Sequence, residues 1–212
     1  MIGLRTFLKD FADSTKLVPF DKLYERQREL VRCDFLRATK GRGPGSGVPL
    51  SPANLAIFLV SVLASDKLSD LGDRTSELYL AKPVIRGAKG TFRVPRDLDS
   101  TFGVAVTQAL LHRPIAGLVT KQPRYVGIQA TRPWRGVIMR ERPTKRPGKI
   151  DLEFFVDPSK NELPPEVKPT FPTETVSIEG EVFQWLCRRM WDYLEQDFPV
   201  KRPRILTKEA ET

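Results

Sequence analysis

Apolar residues at the start of the chain recur at helical spacing. Leu4, Phe7, Leu8 and Phe11 follow one another at intervals of three and four residues. Residues at this spacing lie on one face of an α-helix, and polar residues occupy most of the positions between them. The pattern predicts an amphipathic helix over about residues 4–16.

Three further helices are predicted before residue 82. One runs over about residues 21–37. The next begins at Ser51, whose hydroxyl can cap the helix, followed by Pro52 at the first helical position. This helix is apolar nearly all round, which predicts that it lies at the centre of an N-terminal domain. A short helix follows Asp73.

In the second half of the chain, apolar residues begin to recur at every second position, as they do in β-strands. A helix capped near Ser100 comes first, and alternating residues then predict three short strands at about 125–130, 137–139 and 152–156. Helical spacing returns for a final helix over about residues 181–196. Helices and strands are therefore segregated along the chain rather than alternating.

These elements predict an α+β fold. Residues 1–81 form a helical, winged-helix-like domain, and residues 82–100 form a basic linker or extended arm. Residues 101–198 form an α+β domain in which two helices cover a three- or four-stranded antiparallel sheet. The tail at 199–212 is expected to be flexible.

Positive charge is concentrated in the middle of the chain. The whole protein has a net charge of +9 and a pI near 9.7. Residues 82–149 alone contain fifteen basic and three acidic residues, a net charge of +12. A dense cationic segment attracts polyanions, so nucleic acid is the leading candidate partner. The alternative is a set of solvated faces with no partner.

Several classes of protein are excluded by composition. Two cysteines and one histidine are too few for a closed zinc site, and no cofactor is expected. The loop GRGPGSGV lacks the lysine and the preceding strand of a phosphate-binding loop. No apolar run approaches a membrane span, so the expected location is the cytoplasm and no membrane partner is expected. No nucleophile motif is found, and the protein is not expected to be an enzyme.

The second helix and the loop after it predict a surface that contacts DNA. Arginine and glutamine on the outer face of a helix can bond to guanine and adenine edges, and a glycine-rich basic loop can approach phosphates closely. The candidate residues are Arg26, Gln27, Arg28, Arg32, Lys40 and Arg42. The alternative is a solvated helix on which Glu25 and Glu29 neutralise the arginines.

A second group of candidate DNA-binding residues lies between and after the first two predicted strands. Arg132 and Arg135 flank Trp134, and such interleaving of basic and aromatic residues is typical of single-strand binders. Packing of Trp134 on the sheet is the alternative. Lys145 and Arg146 belong to an exposed basic turn that joins the second and third strands.

The run RELVRCDFLRATKGRGPGSGVPLSPANLAIFLVSVLA resembles the N-terminal segment of phage and prophage proteins. In these proteins a winged helix-turn-helix, loosely similar to the MerR type, precedes a small α/β domain. The similarity covers about 60 residues, through the ELVRCDFL helix end, the GRGPGSG loop and the SPANLA helix start. It implies DNA binding by Arg26, Arg28, Arg32 and Arg42.

Three functions are compatible with these patterns. The first is a double-stranded DNA-binding regulator or phage packaging factor, for which a homodimer through the C-terminal domain is one expectation. The second is a structural or adaptor protein of a phage-like assembly that binds nucleic acid or an acidic partner without sequence preference. The third is a nuclease in which Asp151 and Glu153 hold Mg²⁺.

Overall fold

A computed structural model describes residues 2–39, 47–86, 92–93, 100–115, 125–132, 135–140, 152–156 and 174–197. Over these residues the chain forms six helices and a six-stranded sheet, so the predicted α+β class is confirmed. The helices are α1 (Leu4–Thr15), α2 (Phe20–Arg32), α3 (Pro52–Ala64), α4 (Leu71–Tyr79), α5 (Phe102–Leu110) and α6 (Gly180–Asp197). The strands are β1 (Lys82–Arg86), β2 (Phe92–Arg93), β3 (Tyr125–Arg132), β4 (Arg135–Arg140), β5 (Leu152–Phe155) and β6 (Glu174–Glu179).

The sheet is antiparallel at each pairing between neighbouring strands, and its order is β2-β1-β5-β4-β3-β6. The three strands expected from the alternating pattern correspond to β3, β4 and β5. The prediction of three or four strands is too low, because β1 and β2 extend the sheet at one side and β6 extends it at the other.

The prediction of a linker is wrong for residues 82–86 and 92–93, which form β1 and β2. Pro83 argues against predicting a strand at β1, since proline cannot donate a hydrogen bond to a neighbouring strand. In the structure Pro83 pairs with Phe154 of β5, whereas β2 pairs with β1 only at Ile85 and Arg86. Among the described residues, Pro83 therefore has a strand neighbour on one side only, which is a position that tolerates proline.

Helices cover one face of the sheet, which we call the helix face. A Cβ on Gly136 of β4 would lie 2.7 Å from the ring of Phe102 in α5, and the rings of Phe102 and Phe154 are 5.4 Å apart. Successive residues of a strand point to opposite sides. Thr131, Arg135 and Phe155 therefore point to the other side, which we call the far face.

The N-terminal helices and the sheet share one hydrophobic core. Its buried residues range from Leu4 in α1 to Trp191 in α6 and include Ile128 of β3. Trp185 of α6 packs against Phe7 of α1, with ring centroids 6.0 Å apart. Over the residues that the structure describes, the two predicted domains therefore pack as one unit.

Helix α2 ends at Arg32, five residues earlier than predicted. Asp34 adopts a left-handed conformation with φ of 61°, and the amides of Phe35 and Leu36 both donate to the carbonyl of Leu30, at 2.9 and 3.2 Å. Aspartate tolerates this conformation better than most residues. The tight turn lets Leu36, 1% exposed, enter the core. Among the described residues, no helix is long and apolar enough to cross a membrane.

Candidate nucleic-acid interface

Helix α2, the predicted recognition helix, turns Gln27 inward. Its buried positions are Leu23, Gln27 and Leu30, and Gln27 is only 6% exposed. These three residues share one helical face. From this position Gln27 does not reach a base edge, so its contact with DNA stays a prediction that the geometry does not favour.

Arg26 also points toward the protein rather than toward solvent. Its Nη1 donates a hydrogen bond of 2.7 Å to the carbonyl of Ser61, near the C-terminal end of α3. Burial lowers the pKa of Arg26 from its ordinary value, and the positive charge of Arg132 acts in the same direction. The prediction that Arg26 lies on an exposed reading face is wrong, because its guanidinium caps a helix of the same chain.

The two remaining arginines of α2 differ in their partners. Arg32 donates to Glu29 through Nε at 2.9 Å, and this hydrogen bond lowers the pKa of Glu29 and raises that of Arg32. Neutralisation by a glutamate, the alternative considered from the sequence, is what the structure shows for Arg32. Arg28 is exposed and has no ion-pair partner among the described residues. Of the four candidates on α2, Arg28 is the only one that is both exposed and without an ion-pair partner among the described residues.

Arg132, at the end of β3, uses all five of its N–H donors within the protein. Nε donates to the carbonyl of Leu63 at 2.8 Å, and Nη2 donates to the carbonyl of Val62 at 3.0 Å. Asp66 accepts from Nη1 and Nη2 at 2.7 and 3.0 Å, and Glu174 accepts a second bond from Nη1 at 2.8 Å. A guanidinium has five donors, so none is left for a phosphate or a base.

The contacts of Arg132 join the sheet to the helical layer. The last carbonyls of a helix lack partners within the helix and carry partial negative charge, so a cation there stabilises it. The hydrogen bond to Asp66 raises the pKa of Arg132, whose side chain is only 12% exposed. DNA binding by Arg132 stays a prediction that this geometry does not favour, since its donors cap α3 and pair with carboxylates.

Asp66 predicts a measurable pH dependence of stability. The hydrogen bonds from Arg132 lower the pKa of Asp66 below its ordinary value. The resulting stabilisation is complete above the pKa of the unfolded chain, about 3.9, and is lost as the pH falls toward the lower pKa of the folded state. Denaturant unfolding between pH 7 and 2.5 should therefore show a smaller acid-induced loss of unfolding free energy in Asp66→Asn than in the wild type. Equal losses in the two proteins would contradict this prediction.

Arg135 differs from Arg132 in both direction and contacts. It points to the far face, where its side chain is 34% exposed and its Nη1 lies 4.0 Å from Glu153 Oε1. That distance is an ion pair but too long for a hydrogen bond. The Nε atom of Arg135 is buried and has no hydrogen-bond acceptor within the described ranges of the chain. Unlike Arg132, Arg135 is therefore not saturated with hydrogen bonds within the described part of the protein, and its side chain is partly exposed.

Arg135 belongs to a row of five residues that crosses the far face, which we call the basic row. Each member is the direct cross-strand partner of the next, and each comes from a different strand. The row consists of Lys82, Phe155, Arg135, Thr131 and Thr175. Lys82 and Thr175 are exposed, while Phe155 and Thr131 are partly exposed.

Sequence reasoning missed four of the five residues in the basic row. The sequence predicts a linker at Lys82 and a strand at Phe155, with no functional role for either residue. The alternation of Leu152, Glu153, Phe154 and Phe155 did contain a signal, since it places Phe155 opposite the buried Phe154. The pairing of β1 with β5 spans about seventy residues of chain and carries no local signal.

Other sequence predictions fall outside the residues that the structure describes. These are Lys40, Arg42, Trp134, Lys145, Arg146 and Asp151, together with the tail at 199–212. Thr39 and Gly47, which flank the glycine-rich loop, form an antiparallel bridge. Cys33 and Cys187 are free, and among the described residues no group of three acidic, histidine or cysteine side chains could hold a metal ion.

Comparisons of the chain with protein-family models, curated proteins and solved structures found no match. The resemblance to phage and prophage proteins therefore stays a prediction.

Proposed function

We propose that the protein binds nucleic acid through its phosphate groups, without reading base sequence. The observation that carries this proposal is the net charge of +12 over residues 82–149, whose described parts include several strands of the sheet. This segment supplies β1, β3 and β4, and it places Lys82 and Arg135 side by side with Phe155 on the far face. Lysine and arginine on one surface release counterions from a phosphate backbone, which favours binding to any sequence.

Base reading by α2 has less support than phosphate binding. Specific readout requires several side chains that reach base edges together. Gln27 and Arg26 are directed into the protein, and Arg32 is paired with Glu29, which leaves Arg28. A role as a structural or adaptor protein of a phage-like assembly fits binding without sequence preference better than a role as a regulator.

A salt titration tests this proposal. The dissociation constants of fluorescently labelled random 20-base-pair duplexes and random 20-nucleotide strands are measured between 50 and 300 mM KCl. We expect the logarithm of the binding constant to fall linearly with the logarithm of salt, by about 0.7 to 0.9 per phosphate contacted. Affinities for different sequences should agree within about threefold, because phosphate contacts carry no sequence information.

A matched pair of lysine variants locates the binding surface. Lys82→Ala should reduce the salt slope by about 1, whereas Lys67→Ala, which also removes an exposed lysine but from the acidic segment 51–81, should leave it unchanged. Absence of binding at 50 mM KCl would contradict the proposal. So would a sequence, selected from a random pool, that binds more than about a thousandfold tighter than random DNA, because that ratio defines a specific reader.

A further inference from the structure

The surface of the α1–α2 helix pair carries an exposed arginine that is held on an aromatic ring. The guanidinium carbon of Arg5, in α1, lies 4.7 Å from the centre of the Tyr24 ring in α2. Phe20 stacks on the same ring, with centroids 5.7 Å apart and ring planes inclined by 14°. Tyr24 is therefore fixed by two contacts, and it holds the side chain of Arg5 close to α2.

The contact with the Tyr24 ring leaves the hydrogen-bond donors of Arg5 unused. A cation–π contact is an electrostatic attraction and consumes no N–H donor. Arg5 is exposed and donates no side-chain hydrogen bond within the described residues. Since a guanidinium binds a phosphate through two parallel N–H groups, Arg5 can hold an anion from solvent while it stays on the ring. Arg132, whose five donors are all engaged within the protein, cannot do so.

Two further cations lie beside Arg5 on the same helix pair. Lys9 follows Arg5 by four residues on α1, and Arg28 follows Tyr24 by four residues on α2. Residues at this spacing have Cβ atoms about 5–6 Å apart on one side of a helix. Lys9 and Arg28 are exposed, and neither forms an ion pair within the described residues, although Glu25 lies three positions before Arg28. We call Arg5, Lys9 and Arg28 the helical cation patch.

We propose that the helical cation patch binds the phosphate backbone of nucleic acid. This inference rests on the proposed function and adds a second contact surface, on the helical layer, to the cations of the sheet. Neighbouring cations without carboxylate partners repel one another, and a phosphate backbone relieves this repulsion while its own counterions are released. The Tyr24 ring is already in contact with Arg5 and Phe20, so it positions a phosphate-binding arginine and does not stack on a base.

Carboxylates of an acidic protein are the competing ligand for these three cations. Nucleic acid is favoured because its phosphates follow one another every 3.4 Å of helix axis along each strand, which lets one strand meet cations on both helices. The whole chain carries a net charge of +9, and such a charge favours the ligand of highest charge density. Phosphate also matches the paired donors of arginine, which supplies two of the three cations.

Salt titrations of arginine variants test the helical cation patch on the full-length protein. The binding constant of a labelled random 20-base-pair duplex is measured between 50 and 300 mM KCl for the wild type, Arg5→Ala, Arg28→Ala and the double variant. Each single substitution should lower the salt slope by about 1 and the double variant by about 2, because each removes one phosphate contact. Arg74→Ala is the control and should leave the slope unchanged. It removes the same charge from an arginine already paired with Glu77 at 3.0 Å.

Substitutions at Tyr24 test the positioning of Arg5 without changing the net charge. Tyr24→Phe keeps the ring and should bind the duplex as the wild type does. Tyr24→Leu removes the ring and should weaken binding by about 2- to 5-fold, the range expected for an exposed cation–π contact. In the Arg5→Ala background the same change should have no further effect, because no guanidinium remains to be positioned. A general disturbance of the helices would weaken binding in both backgrounds.

Thermal unfolding of each variant shows whether it folds. If Arg5→Ala or Tyr24→Leu does not fold, the titration of Arg28→Ala decides, together with Arg5→Lys. Arg5→Lys should keep the salt slope of the wild type and bind the duplex more weakly, because an ammonium group keeps the charge and lacks the paired donors.

The possible outcomes separate this inference from the proposed function. Wild-type salt slopes in folded Arg5→Ala and Arg28→Ala would overturn the helical cation patch and leave the proposed function intact. Polyglutamate with as many charges as the duplex has phosphates is titrated in parallel. If it bound the wild type as tightly as the duplex does and lost its affinity in the double variant, the patch would be a site for acidic proteins and the inference would be overturned. Absence of duplex binding to the wild type at 50 mM KCl would overturn the proposed function itself.

Discussion

Replacing Arg132 by alanine should lower the free energy of unfolding by about 2–4 kcal/mol. The substitution removes five hydrogen bonds, two of which satisfy carbonyls of Val62 and Leu63 at the end of α3. Those carbonyls would lose their charged donor at the junction between helix and sheet. Asp66 and Glu174 are largely exposed, at 71% and 61%, so their carboxylates regain water and contribute less to the loss.

Urea unfolding monitored by circular dichroism measures this effect, and Arg28→Ala is its matched control. Both variants lose one arginine, but Arg28 is exposed and has no ion-pair partner among the described residues, so its removal should change stability by less than about 0.5 kcal/mol. Arg132→Lys should recover only part of the loss, because an ammonium group cannot reproduce the planar set of five donors. If Arg132→Ala were as stable as the wild type, the hydrogen bonds of Arg132 would not be needed for stability.

Gly136→Ala should destabilise the protein by about 1–3 kcal/mol through overpacking. The new Cβ would lie 2.7 Å from the ring of Phe102, which is fully buried and packs against Phe154. Real Cβ atoms do not approach other atoms so closely, so the ring or the strand must move. Since the core is close-packed, neither can move without disturbing its neighbours.

Gly3→Ala is the control for Gly136→Ala, since its added methyl would lie 3.6 Å from the nearest atom, the carbonyl oxygen of Val48. We expect little change in stability from this substitution. Combining Gly136→Ala with Phe102→Leu should cost less than the sum of the single substitutions, because the smaller side chain makes room for the methyl. Strict additivity in thermal unfolding experiments would indicate that the two residues do not press on one another.

The features predicted correctly from the sequence are those set by neighbours along the chain. Ser51 caps α3 as expected, with its Oγ accepting from the amide of Asn54 at 3.1 Å. Helical spacing located α1 and α6, and alternation located β3, β4 and β5. In each case a few adjacent side chains determine the local conformation.

Features that depend on distant partners were not predicted. Arg132 meets Asp66 and Glu174, which lie 66 and 42 residues away in the sequence, so its structural role emerges only from the fold. The basic row likewise requires the pairing of five strands. The inward direction of Gln27 is different, because its spacing from Leu23 and Leu30 already placed it within the apolar stripe of α2.

The core shared by α1, α3, α6 and the sheet limits how this chain can be divided. A fragment ending at residue 81 would leave the apolar side of α1 without Trp185 and the end of α3 without Arg132. The complementary fragment would expose the inner surface of its sheet to water. Neither piece retains the surroundings that stabilise it, so the two parts are expected to fold together and not as separate fragments.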